Sequence, residues 1–119
     1  MSLPSLTEKD LLPYFYRTDL IRQAAEQLRK DLEQFGEEII YSGDPAKAYD
    51  ELFSQTRPFI LKLVQRNYEK LLQLLYRIDV NEKLVAEIVN SGEDIASGLT
   101  RLILFRELQK VVIRNLYSK

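Results

Sequence analysis

The chain has 119 residues, 45% of them hydrophobic and 29% charged, with a net charge of −1 and neither His nor Cys. His is the usual proton shuttle near neutral pH, and His and Cys together supply most zinc, haem and iron–sulfur ligation, so those chemistries are set aside. The charge is divided along the chain: residues 1–54 carry 6 basic and 11 acidic side chains, net −5, and the remainder carries 11 basic and 7 acidic, net +4.

The N-terminal stretch begins Met1-Ser2-Leu3-Pro4, without a basic region followed by a long apolar one, so secretion is not expected. Thr7-Glu8-Lys9-Asp10 can open one or two helical turns ahead of Pro13. Tyr14-Phe15-Tyr16 then reads as an aromatic tether, making residues 1–17 an N-terminal tether segment. Thr18 or Asp19 caps a first long helix whose apolar residues, Leu20, Ile21, Ala24, Ala25, Leu28, Leu32 and Phe35, recur three and four apart, and Gly36 ends it in the left-handed conformation.

Asp44 and Pro45 open a second, shorter helix with Ala48, Leu52 and Phe53 as its apolar stripe. Thr56-Arg57-Pro58 opens a third that reaches about Arg77, because proline is tolerated in a first turn and no Gly or Pro follows. Its apolar side holds Ile60, Leu63, Val64, Tyr68, Leu71, Leu72, Leu74, Leu75 and Ile78, and its opposite side presents Lys62, Arg66, Lys70 and Arg77. Asp79-Val80-Asn81-Glu82 has capping-box spacing and starts a fourth helix ending near Asn90.

Ser91-Gly92-Glu93-Asp94 breaks that helix and caps the last, which runs from about Asp94 to Tyr117 with a weak point at Ser97-Gly98. The last helix is apolar nearly all round. Ile95, Leu99, Leu102 and Ile103 form one side, Leu104, Leu108 and Val111 the opposite one, and Phe105, Val112 and Leu116 lie between. Arg106, Lys110 and Arg114 make a narrow polar strip with Glu107 beside it. Such a helix is buried on more than one side. It is either the centre of its own chain or sealed on one face by a second copy, the rival cover being the Tyr14-Phe15-Tyr16 segment folded back.

The expected fold is therefore all-α: a single-domain helical bundle, 1–119, of about five main helices, with the third and last at its centre. No Walker or dinucleotide glycine spacing is present, and the adjacent carboxylates Glu37-Glu38, Asp50-Glu51 and Glu93-Asp94 point about 100° apart on a helix. No catalytic residue, cofactor or metal is assigned. The leading reading is a non-catalytic protein-interaction module binding a protein partner or itself as a homodimer through Leu104, Phe105, Leu108, Val111 and Val112. A second is a nucleic-acid or anion binder using Lys62, Arg66, Lys70, Arg106, Lys110 and Arg114, though the net charge provides no steering field and nucleic acid is not expected. A third is a small ligand-binding helical protein or a His- and Cys-free enzyme. The longest strongly apolar run, Leu102–Phe105, is far short of the roughly 20 residues that span a bilayer, so no membrane is expected. Absence of Cys fits a reducing cytoplasm.

Overall fold

The computed structural model describes residues 8–15 and 17–117, and all regular structure among them is helical. The elements are α1 Glu8–Leu11 with a 3-10 turn at Leu12–Tyr14, α2 Thr18–Glu33, a 3-10 turn at Pro45–Lys47 leading into α3 Ala48–Arg66, α4 Tyr68–Ile78, α5 Glu82–Asn90 and α6 Ile95–Tyr117. They form one helical bundle, five of the helices being substantial. α6 packs against each of α1 to α5 and is the centre of the bundle. Tyr16, with the residues before Glu8, lies outside the described residues, so only Tyr14 and Phe15 of the expected aromatic tether can be placed.

Local chemistry explains most boundaries. α2 ends in a Schellman motif: Gly36 takes φ +83°, its N–H bonds to the Glu33 carbonyl, and the Glu37 N–H reaches back to Leu32 at 3.1 Å. Neither Thr18 nor Asp19 caps its start. Arg17 occupies the cap without a side-chain bond, and its guanidinium pairs instead with Asp19. Asp44 caps the Pro45 turn by accepting from the Ala46 N–H, and Asp94 caps α6 by accepting from the Ser97 N–H.

The middle of the chain is divided differently from its breaker pattern. The expected second helix and the first half of the expected third are one element, α3, which runs through Pro58, and the second half of the third is α4. Proline removes one N–H and leaves the carbonyl four residues earlier without a donor. That residue, Ser54, is exposed, so water can serve it, while Leu52, Thr56, Phe59, Ile60 and Leu63 keep one buried face unbroken across the proline. The break falls instead at Asn67, with φ −151° and ψ 74°, whose side chain accepts from the Lys70 N–H and starts α4. Asparagine competes for backbone partners in this way and favours caps over helix interiors. Asp79 is likewise not the cap of α5. It is the left-handed terminus of α4 at φ 66°, with Val80 N–H returning to Leu75, and Asn81 caps α5.

The main core joins Leu28 and Leu32 of α2, Phe59, Ile60 and Leu63 of α3, Leu71, Leu74, Leu75 and Ile78 of α4 and Leu99 and Ile103 of α6. Tyr68 and Leu72, expected on the inward side of a single third helix, are about half exposed at 50% and 48% because the turn at Asn67 rotates α4 relative to α3. α5 buries no residue fully and lies on α6 where Gly98 leaves room: a Cβ there would stand 2.8 Å from Cγ2 of Ile88. The weak point read at Ser97-Gly98 is thus a packing site.

Candidate functional site

The row Leu104, Leu108, Val111 and Val112, read from the sequence as a protein interface, is buried inside the chain, with Phe105 half-buried. Leu108, Val111 and Val112 join Leu11 and Leu20 in a second apolar cluster, against which Tyr14, Phe15, Ala24 and Phe105 pack. A dimer through this row would have to open that cluster. The geometric reason is that α1 and the turn after it fold back onto α6.

Above this cluster, α2, the start of α3 and the middle of α6 diverge around a cavity of about 360 Å³. Its walls are Phe15, Ile21, Ala24 and Leu28 on one side, Pro45, Ala48, Tyr49 and Leu52 on another, and Leu104, Phe105 and Leu108 from α6. Ala24 and Ala48 explain the empty space, since both present a methyl group where a larger side chain would fill it. Three rings meet here: Phe15 and Phe105 at 5.8 Å between centroids, and Tyr49 and Phe105 at 6.4 Å. Arg101 and Glu107 are the charged residues of the wall. Arg101 is exposed, whereas Glu107 is only 1% exposed.

Glu107 belongs to a chain of charges running from the cavity to the surface. Lys110 Nζ forms a close ion pair with Glu107 Oε1 at 2.6 Å. The same ammonium is 3.4 Å from Oδ2 of buried Asp31, whose Oδ1 accepts from Gln27 at 3.2 Å and from Arg77 at 3.3 Å. Burial first, and the Asp31 carboxyl second, push the Glu107 carboxyl up to about 8 against the opposing pull of Lys110. Burial alone would raise Asp31 too, but a hydrogen bond from Glu107, followed by Lys110 and Gln27, holds it below the usual carboxylate range. The pair is arranged as a neutral acid, Glu107, donating to a carboxylate, Asp31.

Glu107 and Asp31 are the residues that sequence reasoning passed over, having placed Glu107 beside a polar strip. The available signal was positional: Ile103, Leu104 and Val111, at −4, −3 and +4 from Glu107, are all apolar, so the carboxyl shares their face.

The six cations read as an anion-binding set have separate surroundings. Lys62 and Arg66 are exposed at the end of α3, and Lys70 of α4 stands 6.0 Å from the Phe59 ring centroid. Arg106 donates to the Asp79 carbonyl at 2.8 Å and its carboxylate at 2.9 Å, Lys110 lies between Asp31 and Glu107, and Arg114 reaches Gln27 at 3.5 Å. The strip Arg106–Lys110–Arg114 is therefore engaged within the chain. Among the described residues no helix is long and apolar enough to cross a membrane. Comparison of the chain with protein-family models, curated proteins and solved structures finds no match.

Proposed function

We propose that this protein is a non-catalytic helical module that holds a small, predominantly apolar molecule between α2, α3 and α6. The observation carrying this reading is the cavity itself, lined mainly by apolar side chains and by the rings of Phe15, Tyr49 and Phe105. A volume of about 360 Å³ is at the lower end of ordinary ligand cavities. Cysteine-free composition fits residence in a reducing cytoplasm.

The test is titration with small aromatic probes, followed by chemical-shift changes at Phe105 and Ala24. Saturable binding in the wild type, abolished in a folded Ala48→Leu variant that fills the space, is the expected result. Lack of binding by any probe at millimolar concentration would remove the reading.

A second reading retains a protein-interaction module, self-associating or hetero-associating, because Tyr68, Leu72 and Tyr76 repeat every four residues along α4 with exposures of 50%, 48% and 85%. Contiguous apolar surface of this kind marks contacts. Sedimentation of the wild type against Tyr76→Asp tests it: a concentration-dependent mass lost in the variant supports self-association. A monomer at all concentrations removes the homodimer.

A further inference from the structure

The class of ligand can be narrowed from the free polar groups of the wall, and this step rests on the cavity reading above. We infer that the cavity takes an apolar carboxylic acid, its hydrocarbon part among the rings of Phe15, Tyr49 and Phe105 and its carboxylate on Arg101, where the wall meets solvent.

Three observations converge. Of the two charged residues of the wall, Glu107 is already satisfied and Arg101 is not. Both carboxyl oxygens of Glu107 are fully buried and one pairs with Lys110 at 2.6 Å, so Glu107 gives the cavity its carbon stem. Arg101 is exposed and, among the described residues, makes no ion pair or hydrogen bond, whereas Arg57 and Arg106 are bound to Asp94 and Asp79. Second, the free polar groups are donors: the guanidinium has five N–H groups and no acceptor, and the Tyr49 phenol, also without a hydrogen bond among the described residues, has an O–H. A carboxylate accepts from both kinds of group and matches the guanidinium fork with two parallel bonds. Third, Arg101, Leu104, Phe105 and Leu108 stand three and four residues apart on α6 and make one row of the wall, with the charge at one end and apolar side chains along the rest. At roughly 30 Å³ for a water-sized group, the cavity of about 360 Å³ has room for about twelve non-hydrogen atoms.

The two ends of such a ligand do different work. Burial of its hydrocarbon part supplies the affinity, and that part is insensitive to salt. The pair with Arg101 supplies the choice of headgroup, and because the guanidinium is exposed the pair has the modest strength of a surface ion pair and is screened by salt. An amine finds no free carboxylate on this wall, since Lys110 holds Glu107 and both Lys110 and Arg77 hold Asp31. An alcohol fills the same space and leaves the guanidinium to water.

The experiment is calorimetry at pH 7 with three probes that share one apolar body: 4-phenylbutyrate, 4-phenylbutanol and 4-phenylbutylamine, each at low and at high salt. The carboxylate is expected to bind roughly three- to tenfold tighter than the alcohol at low salt, and to approach the alcohol's affinity near 1 M salt, where the screening length is about 3 Å. Arg101→Gln should bring the carboxylate down to the alcohol's affinity and leave the alcohol unchanged, Arg101→Lys should keep part of the preference, and Ala48→Leu should abolish binding of all three. If Arg101→Gln does not fold, the salt dependence of the carboxylate against the alcohol in the wild type decides. Equal affinity for acid and alcohol at low salt, or a preference for the acid that survives Arg101→Gln, would overturn the acid assignment and leave the cavity reading standing, as would a preference for the amine. Carboxylate binding that persists in a folded Ala48→Leu variant would overturn it too, by placing the acid on the surface. Failure of all three probes at millimolar concentration would remove the cavity reading itself.

Discussion

Glu107 makes stability depend on pH in an unusual direction. Its carboxyl titrates near 4.5 in an unfolded chain and at about 8 in the fold, so between those values the folded state holds the extra proton. Stability must then fall as pH rises from about 4.5 to 8 and level off above, the reverse of a carboxylate stabilised by a salt bridge. Urea midpoints measured across that window should decline in the wild type and stay nearly flat in Glu107→Gln. The variant, which carries a donor but no charge, should be more stable at pH 8 by on the order of 2–4 kcal/mol. A wild-type midpoint that rises over the same range would show that Glu107 is ionised in the fold. At this scale the sequence was partly legible. Caps at Asp44 and Asp94 and the left-handed Gly36 follow from residue type alone, whereas burial of Asp31 and Glu107 depends on which helices meet them.

Helices assigned by punctuation and helices assigned by burial part company at Pro58 and Asn67. Proline carries the stronger local penalty, yet α3 crosses it because three residues are buried on each side, Ala48, Leu52 and Thr56 before it and Phe59, Ile60 and Leu63 after; asparagine carries a mild one, and the helix breaks there. Tertiary packing overrides intrinsic preference where the two disagree, and a single sequence displays only the preference. The contact of α5 with α6 can be tested in the same terms. Gly98→Ala gains up to about 1 kcal/mol of helix propensity but places a methyl group 2.8 Å from a branch of Ile88 that cannot swing aside. It should therefore destabilise by about 1–2 kcal/mol in the wild type, as overpacking does. In an Ile88→Ala background it should stabilise instead. The same sign in both backgrounds, measured by thermal unfolding, would mean that α5 does not rest on Gly98.

The bundle as a whole is organised around α6, and most of this was readable from a helix apolar nearly all round. Such a pattern does not say whether the second apolar side meets a partner or the chain's own N-terminal turns. Leu11, Tyr14, Phe15 and Leu20 provide that cover; Leu20 belongs to the periodic stripe of α2, whereas Leu11, Tyr14 and Phe15 lie in a stretch too short to show a period. Leu71→Ala and Leu75→Ala should each cost about 2–5 kcal/mol, since both side chains lie in the main core. Leu108→Glu should abolish the folded circular-dichroism signal; a folded Leu108→Glu monomer would place that side chain on an interface after all. The sign division of the chain also finds its use here, because Asp31 from the acidic half meets Arg77 and Lys110 from the basic half.

The position of α6 in the chain also bears on the order of assembly. Among the described helices the one that touches all the others is the one made last, so α2, α3 and α4 emerge during synthesis with their apolar faces and nothing to close upon. At about 5–20 residues per second, translating the 23 residues of α6 keeps those faces waiting for roughly 1–5 s, long compared with helix formation and long enough for aggregation or capture by a chaperone. A fragment of residues 1–93 should behave as a collapsed, exchange-labile chain, and a synthetic peptide of residues 94–119 added to it should restore cooperative unfolding. If the fragment alone shows protected amides in α2 and α3, assembly does not wait for α6. Closure of the bundle is then a timing problem as much as an energetic one: nascent-chain survival depends on how quickly α6 follows α2 to α5.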